Sequence, residues 1–329
     1  MPGIKRKKRV GVKPSRDSDK KTCEGQLMNT NMDLKSFTLL LLLAAVWGGS
    51  FFFAEIALRE VSPLTITLHR VFWAVPMLAV LVMLKGVKIP RSPQIWAAYL
   101  GMGALNNAIP FSLIFWGQTQ IESGLASILN GTTAMFGAVV AGVLLVDEPL
   151  TKNKIVGAAL GLAGVAFIMG PEALSGFNPG NLAQLAVLCA ALSYAFASVW
   201  GKVMLAGQPP LMNALGMVTG SVILMLPIVF LIDGTPSFEL SMSVWGALFG
   251  IASLSTVLAY VLYFAILQRA GAANLMLVTL LIPPFAIGLG VVFLGERLGA
   301  EAWIGFGIIA VGFAVTDGRL LAGTRRRDA

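Results

Sequence analysis

The sequence predicts an all-α polytopic membrane protein, ten transmembrane helices arranged as two inverted five-helix repeats, and three observations carry that reading. The first is composition: 57% of the 329 residues are hydrophobic and 12% are charged, against about 25% charged in a typical soluble domain. The second is that apolar stretches close to the roughly 20 residues needed to cross a bilayer recur along nearly the whole chain. The third is internal repetition. Residues 122–170 reappear at 270–318: Gly142, Glu148, Leu150, Gly157 and Gly164 are matched by Gly290, Glu296, Leu298, Gly305 and Gly312, each 148 positions on (142 to 290). A repeat this long makes the chain two related halves before any single residue is interpreted.

Residues 1–33 carry the cluster Lys5-Arg6-Lys7-Lys8-Arg9 without an apolar period and are expected to form a disordered basic cytoplasmic tail. The first apolar run starts too far from the amino terminus, and runs too long, for a secretory signal. The first span is Phe37–Ala57, and Ser62-Pro63 opens the second, Leu64–Leu84, since proline suits a first helical turn. Pro90 and Pro93 interrupt the chain before the third, Ile95–Gly117. The fourth, Gly124–Val146, ends in the acidic turn Asp147-Glu148-Pro149-Leu150, and Pro171 and Pro179 bracket the loop after the short fifth, Ile155–Gly170. The sixth is Leu182–Leu205, and Pro209-Pro210 starts the seventh, Leu211–Ile232, which closes on the turn Asp233-Gly234-Thr235-Pro236. Val244–Leu267 is the eighth. The ninth, Ala272–Leu294, ends in Gly295-Glu296-Arg297-Leu298, the second form of the acidic turn, before the short tenth, Trp303–Thr316. The halves are therefore residues 34–172 and 180–318, followed by a basic cytoplasmic tail at 319–329.

With the amino terminus inside, 21 of the 24 Lys and Arg fall on the inner side; only Arg59 and Arg297 lie outside, and Arg70 lies within the second span. This bias places both termini in the cytoplasm. Five spans per half force the second half to enter the membrane from the opposite face. Inverted repeats of this kind build alternating-access carriers with a midplane site at the repeat interface. Earlier in the halves the offset is 147 (47 to 194): Trp47 meets Tyr194, Pro63 meets Pro210 and Trp116 meets Tyr263.

The net charge of +8 is explained by topology and attraction to anionic lipid, so no nucleic-acid partner is expected. Cys23 and Cys189 lack metal or redox spacing. HExxH, GxxxxGK and GxSxG patterns are absent and His69 is the only histidine, so no catalytic residue, metal or cofactor is expected and the chain is not read as an enzyme.

Polar groups in hydrocarbon are costly, so each is a candidate for function. Arg70 is open to three roles: snorkelling to the outer interface, pairing with Glu55 or Glu60, or contacting a substrate anion. His69 is open to helix packing or proton coupling. Glu55, near the outer end of the first span, corresponds to Lys202, near the inner end of the sixth, and the two are candidates for mouth electrostatics or for plain interfacial positions; Glu122 is similar. Asn106 and Asn107 precede Pro110, which should bend the third span, and one of the pair is expected to line a cavity while the other ties helices together. Asn107, Trp116, Asn130, Trp47, Tyr194, Tyr260, Tyr263 and Asn274 together form the candidate amphipathic cavity for a small organic solute. In the stretch Asn130-Gly131-Thr132-Thr133 close helix packing competes with that role.

Trp47-Gly48-Gly49-Ser50-Phe51, Leu68-His69-Arg70-Val71-Phe72 and the two acidic turns resemble the EamA family of the drug/metabolite transporter superfamily over Phe37 to Thr316. The family pattern carries a proline near the middle of the fourth and ninth helices. Pro283-Pro284 supplies it in the ninth, whereas Ala134 stands in that region of the fourth. The resemblance implies a secondary transporter of the bacterial inner membrane, and Asn106 to Phe111 followed by Phe115-Trp116-Gly117-Gln118 is similar to amino-acid and metabolite exporters. A drug or other organic-solute exporter and a non-transporting membrane scaffold or sensor are the alternatives. Coupling to a proton or other ion gradient, and the oligomeric state, are left open.

Overall fold

Serine and proline set where the helices begin. In the computed structural model, which describes residues 33–146, 148–169 and 179–317, Asp33 caps α1 (Leu34–Ala57) by accepting the Ser36 amide at 3.0 Å. Ser62 likewise caps α2 (Pro63–Leu84), whose first residue is the expected proline. Pro93 starts α3 (Pro93–Gln118) rather than ending a loop, and α4 covers Ser123–Leu144. Next come α5 (Lys152–Met169), α6 (Pro179–Met204) and α7 (Pro210–Ile232). The continuous helix α8 is built from Met242–Ala252, Ser253–Leu258 and Ala259–Leu275, and is followed by α9 (Val278–Leu294) and α10 (Ala300–Asp317). The expected tails, apart from Asp33, together with Asp147 and the loop after α5, lie outside the described residues.

The protein is an all-α polytopic membrane protein: eight of these helices are long and apolar enough to cross a bilayer, and α9 and α10 are shorter apolar helices. The ninth helix starts at Val278, not at Ala272, because α8 runs on to Leu275 before a turn at Met276-Leu277. A matching break splits α4 into Ser123–Asn130 and Thr133–Leu144. There the Thr132 hydroxyl donates to the Leu129 carbonyl (2.7 Å) and Thr133 to Asn130 (2.6 Å), competition that weakens the backbone ladder. The two breaks face one another, since a Cβ on Gly131 would sit 3.5 Å from the Thr279 carbonyl.

Glycines set the closest helix contacts. On α5 and α10 a Cβ added at Gly157 would come within 2.5 Å of the Gly312 carbonyl, and one at Gly164 within 2.9 Å of the Gly305 carbonyl. The helices are therefore antiparallel and touch backbone to backbone. Each glycine also faces the repeat mate of the other glycine on its own helix: 157 pairs with 305 in the sequence but meets 312 in space. Gly48 does similar work on α1, where a side chain would strike the backbone of Ile282 and Ala286 on α9 at 3.0 Å.

Candidate functional site

Two widened turns, one in α3 and one in α8, bring polar groups into the middle of the bundle. In α3 the π-helical turn Ala104–Ala108 precedes Pro110, whose missing amide cannot serve the carbonyl four residues back. In α8 the π-helical turn Ser253–Leu258 forms without a proline. Its own hydroxyl supports it: Thr256 Oγ1 donates to the Ile251 carbonyl at 3.1 Å. Widened turns release carbonyls for other partners. The Leu105 carbonyl accepts from Ser193 of α6 at 2.7 Å, and the Ser255 carbonyl accepts from Arg70 at 3.3 Å.

From Pro63 to Arg70 α2 advances about 10 Å, which puts the guanidinium well inside the bundle. Arg70 is 7% exposed. Its Nη1 donates to Ser50 Oγ on α1 at 2.9 Å, its Nε to Thr256 Oγ1 at 3.2 Å and its Nη2 to the Ser255 carbonyl. The Phe111 ring covers one side, 3.6 Å from Cζ to the ring centroid. The phenols of Tyr194 and Tyr260 lie within electrostatic reach. Among the described residues no carboxylate pairs with Arg70: of the three roles left open, the ion pair with Glu55 or Glu60 is replaced by neutral acceptors, and the snorkelling arrangement does not occur. The side chain stays inside because Ser50, Ser255 and Thr256 offer closer acceptors than the interface.

Asn107 is fully buried and forms the second centre. Tyr260 donates its hydroxyl to Asn107 Oδ1 at 3.3 Å, Asn106 Nδ2 donates to the same oxygen at 3.2 Å, and Asn107 Nδ2 donates to Ser221 Oγ on α7 at 2.9 Å. The rings of Tyr194 and Phe111 are 6.5 Å apart, and those of Trp47 and Tyr263 6.0 Å apart. Arg70, Asn107, Tyr194 and Tyr260 are thus brought together, with Trp47 and Tyr263 as an aromatic pair on α1 and α8.

Other candidates fall elsewhere. Trp116 is 42% exposed, because Phe111 and Phe115 occupy the inward stripe of α3 and Trp116 sits about 100° from Phe115. Asn274 donates to the Ala270 carbonyl of its own helix (2.9 Å), and Asn130 lies at the break in α4 with its side-chain oxygen buried and unpaired. His69 Nδ1 accepts from Trp73 at 3.0 Å and its ring meets Trp245 edge-on, a packing arrangement on the N-terminal part of α2. Lys202 pairs with Glu148 at 2.6 Å. Glu55 faces Gln118 Nε2 at 3.5 Å and lies within electrostatic reach of Glu296.

The acidic turn of the second half does more than end a helix. Gly295, at φ 72°, turns the chain so that Glu296 reaches back, accepting the amides of Ser123 (3.0 Å) and Gly124 (3.1 Å) at the start of α4. Glu122 returns the contact by accepting the Arg297 amide at 3.3 Å. Phe111, Ser221, Ser255, Thr256 and Glu296 are site residues that residue type and spacing alone do not single out. Three hydroxyl residues within Ser253–Thr256, inside an otherwise apolar span, were the available signal. Among the described residues no group of three or more His, Cys, Asp or Glu is placed to hold a metal ion.

The model of the EamA-like transporter family matches residues 34–170 and again 181–316. Similar chains include the "Uncharacterized transporter YoaV" of Bacillus subtilis, 26% identical over 81% of this chain and 91% of its own length. Another is the "Uncharacterized inner membrane transporter YedA" of Escherichia coli K12, at 27% over 86% of this chain and 90% of its own. The "Probable amino-acid metabolite efflux pump" of Salmonella typhimurium is 26% identical over 86% and 95%. A solved crystal structure at 20% identity shares the fold, with a TM-score of 0.63 over 90% of this chain and 99% of its own.

Proposed function

Because the chain belongs to the EamA-like transporter family, part of the drug/metabolite exporter superfamily, we propose that it carries a small organic metabolite outward across a bacterial inner membrane by alternating access. Amino acids and related compounds are the favoured class, in keeping with the likeness to the Salmonella efflux pump. The halves 34–172 and 180–318 then act as inverted five-helix repeats of ten spans, with both termini and the basic tails in the cytoplasm.

One observation carries the reading. A polar cluster of buried Arg70, Asn107 and Ser221 with half-buried Tyr260, and Tyr194 beside it, lies inside an apolar bundle and draws on α2, α3, α6, α7 and α8. Ionisable and amide side chains at that depth mark solute paths more often than plain packing. The glycine contact between α5 and α10 supports a two-fold relation between the halves, because each helix presents the same patch to the other. The seal made by Glu296 at the head of α4 supports a resting state with its outer mouth shut.

Counterflow into liposomes preloaded with a mixed amino-acid and metabolite panel, with and without an imposed pH gradient, tests the proposal. Substrate-dependent exchange by the purified protein is the expected result. A stable complex with a specific partner and no exchange of any panel member would overturn it in favour of a scaffold or sensor.

A further inference from the structure

The charge of Arg70 has no counter-ion among the described residues. A guanidinium carries five N–H groups, and three are used, by Thr256, Ser50 and the Ser255 carbonyl. One N–H therefore remains on each terminal nitrogen, and the spacing of those two nitrogens matches that of the two oxygens of a carboxylate. The three acceptors that hold the group are all neutral, so they fix its position and leave its charge unmatched. Removing a cation from water without an opposing charge is expensive. Phe111 stacked at 3.6 Å offsets only part of that cost. Tyr194 and Tyr260 stand beside the guanidinium and supply hydroxyls for a second polar group on a bound molecule, while Trp47 and Tyr263 offer apolar ring surface on α1 and α8.

Resting on the transport reading above, we propose that Arg70 is the anchor for a substrate carboxylate, so that this protein selects carboxylate-bearing solutes, amino acids included, over organic cations. A positive group fixed in a low-dielectric interior repels amines that lack a compensating acid and draws in anions and zwitterions. The carboxylate completes the electrostatics of the site when it arrives, which makes occupancy stabilising for the bundle as well as selective.

The test compares leucine and phenylalanine with their carboxamides and with isoamylamine and phenethylamine, in two assays on wild type, Arg70→Gln and Arg70→Lys. Thermal melting of the detergent-purified protein reads binding, and liposome counterflow reads transport. In wild type the acids should raise the melting temperature and exchange at least about tenfold faster than the amides and amines, as expected for loss of a charge-assisted fork. Arg70→Gln should abolish that preference, and Arg70→Lys, which keeps the charge but not the fork, should fall between. Exchange of the amines as fast as the acids, or retention of the acid preference in Arg70→Gln, would overturn the anchor while leaving transport intact. Absence of any wild-type exchange would instead sink the transport reading. The melting data then judge the anchor alone, with no acid-dependent shift in wild type refuting it. If Arg70→Gln fails to fold, the wild-type preference and its weakening in Arg70→Lys decide.

Discussion

Asn107 shows how one side chain couples the centre of the bundle. It links Tyr260 of α8 to Ser221 of α7 while fully buried, so Asn107→Ala should leave the Tyr260 phenol without this acceptor and the Ser221 hydroxyl with only the Gly103 and Met217 carbonyls. The expected loss is about 1 kcal/mol of stability together with weaker solute binding, measured by melting temperature and by the concentration dependence of counterflow; unchanged values in both would remove Asn107 from the site. Its neighbour differs in kind: Asn106 donates to Asn107 itself, as expected for two adjacent helical residues that cannot serve one ligand equally. At the exposed turn between α1 and α2, hydrogen bonding from Ser241, through its hydroxyl and its backbone amide, holds the Glu60 carboxyl below its ordinary value of 4.5. A carboxylate with a lowered folded value contributes stability above the unfolded value and loses it as the pH falls through the folded one. Glu60→Gln should therefore flatten the decline in melting temperature on acidification below about pH 4.5, most clearly at low salt; an unaltered decline would show that this contact contributes nothing. That Arg70 mattered was legible in the sequence, since an arginine within a span demands partners. Which partners it took was not, because Ser50 and Thr256 are separated from it by 20 and 186 positions and meet it only through helix packing.

Among the elements, the breaks and turns carry more consequence than the spans. The starts of α2 and α7 follow directly from Pro63 and Pro210, so those boundaries could be placed from residue type alone, whereas Pro93 opens α3 where an interruption before Ile95 was expected. The π-helical turn in α8 could not, because it depends on a threonine hydroxyl reaching a carbonyl five residues back. The acidic turn was recognised as a boundary, and its grip on the head of α4 was hidden because 173 positions separate Ser123 from Glu296. Glu296→Ala should expose two amides and lower stability by about 1 kcal/mol, as for loss of a helix cap. Gly290→Ala should mimic it, since a Cβ there would collide with the Glu296 carboxylate. Both should also raise the labelling of a cysteine introduced at Ser127 by an impermeant outer-face reagent; labelling equal to the unsubstituted background would mean that the turn does not hold the outer mouth shut.

At the scale of the whole molecule the repeat in the sequence and the contact in space express one relation. The offset that matches Gly157 to Gly305 and Gly164 to Gly312 says the halves are alike, and the crossing of those pairs says how they meet. Gly157→Leu should be among the most damaging single changes outside the polar cluster, because the added side chain meets the backbone of α10. Overpacking of this kind costs about 1–3 kcal/mol, measured as lost melting temperature and lost yield of monodisperse protein. The seam between α5 and α10 is self-complementary: whatever one half offers, the other accepts. Such a seam does not require a peptide bond to find its register. Residues 1–169 and 179–329 expressed as separate chains should therefore copurify and exchange solute, and a single ancestral half able to insert in both orientations would already have possessed the means to pair with itself.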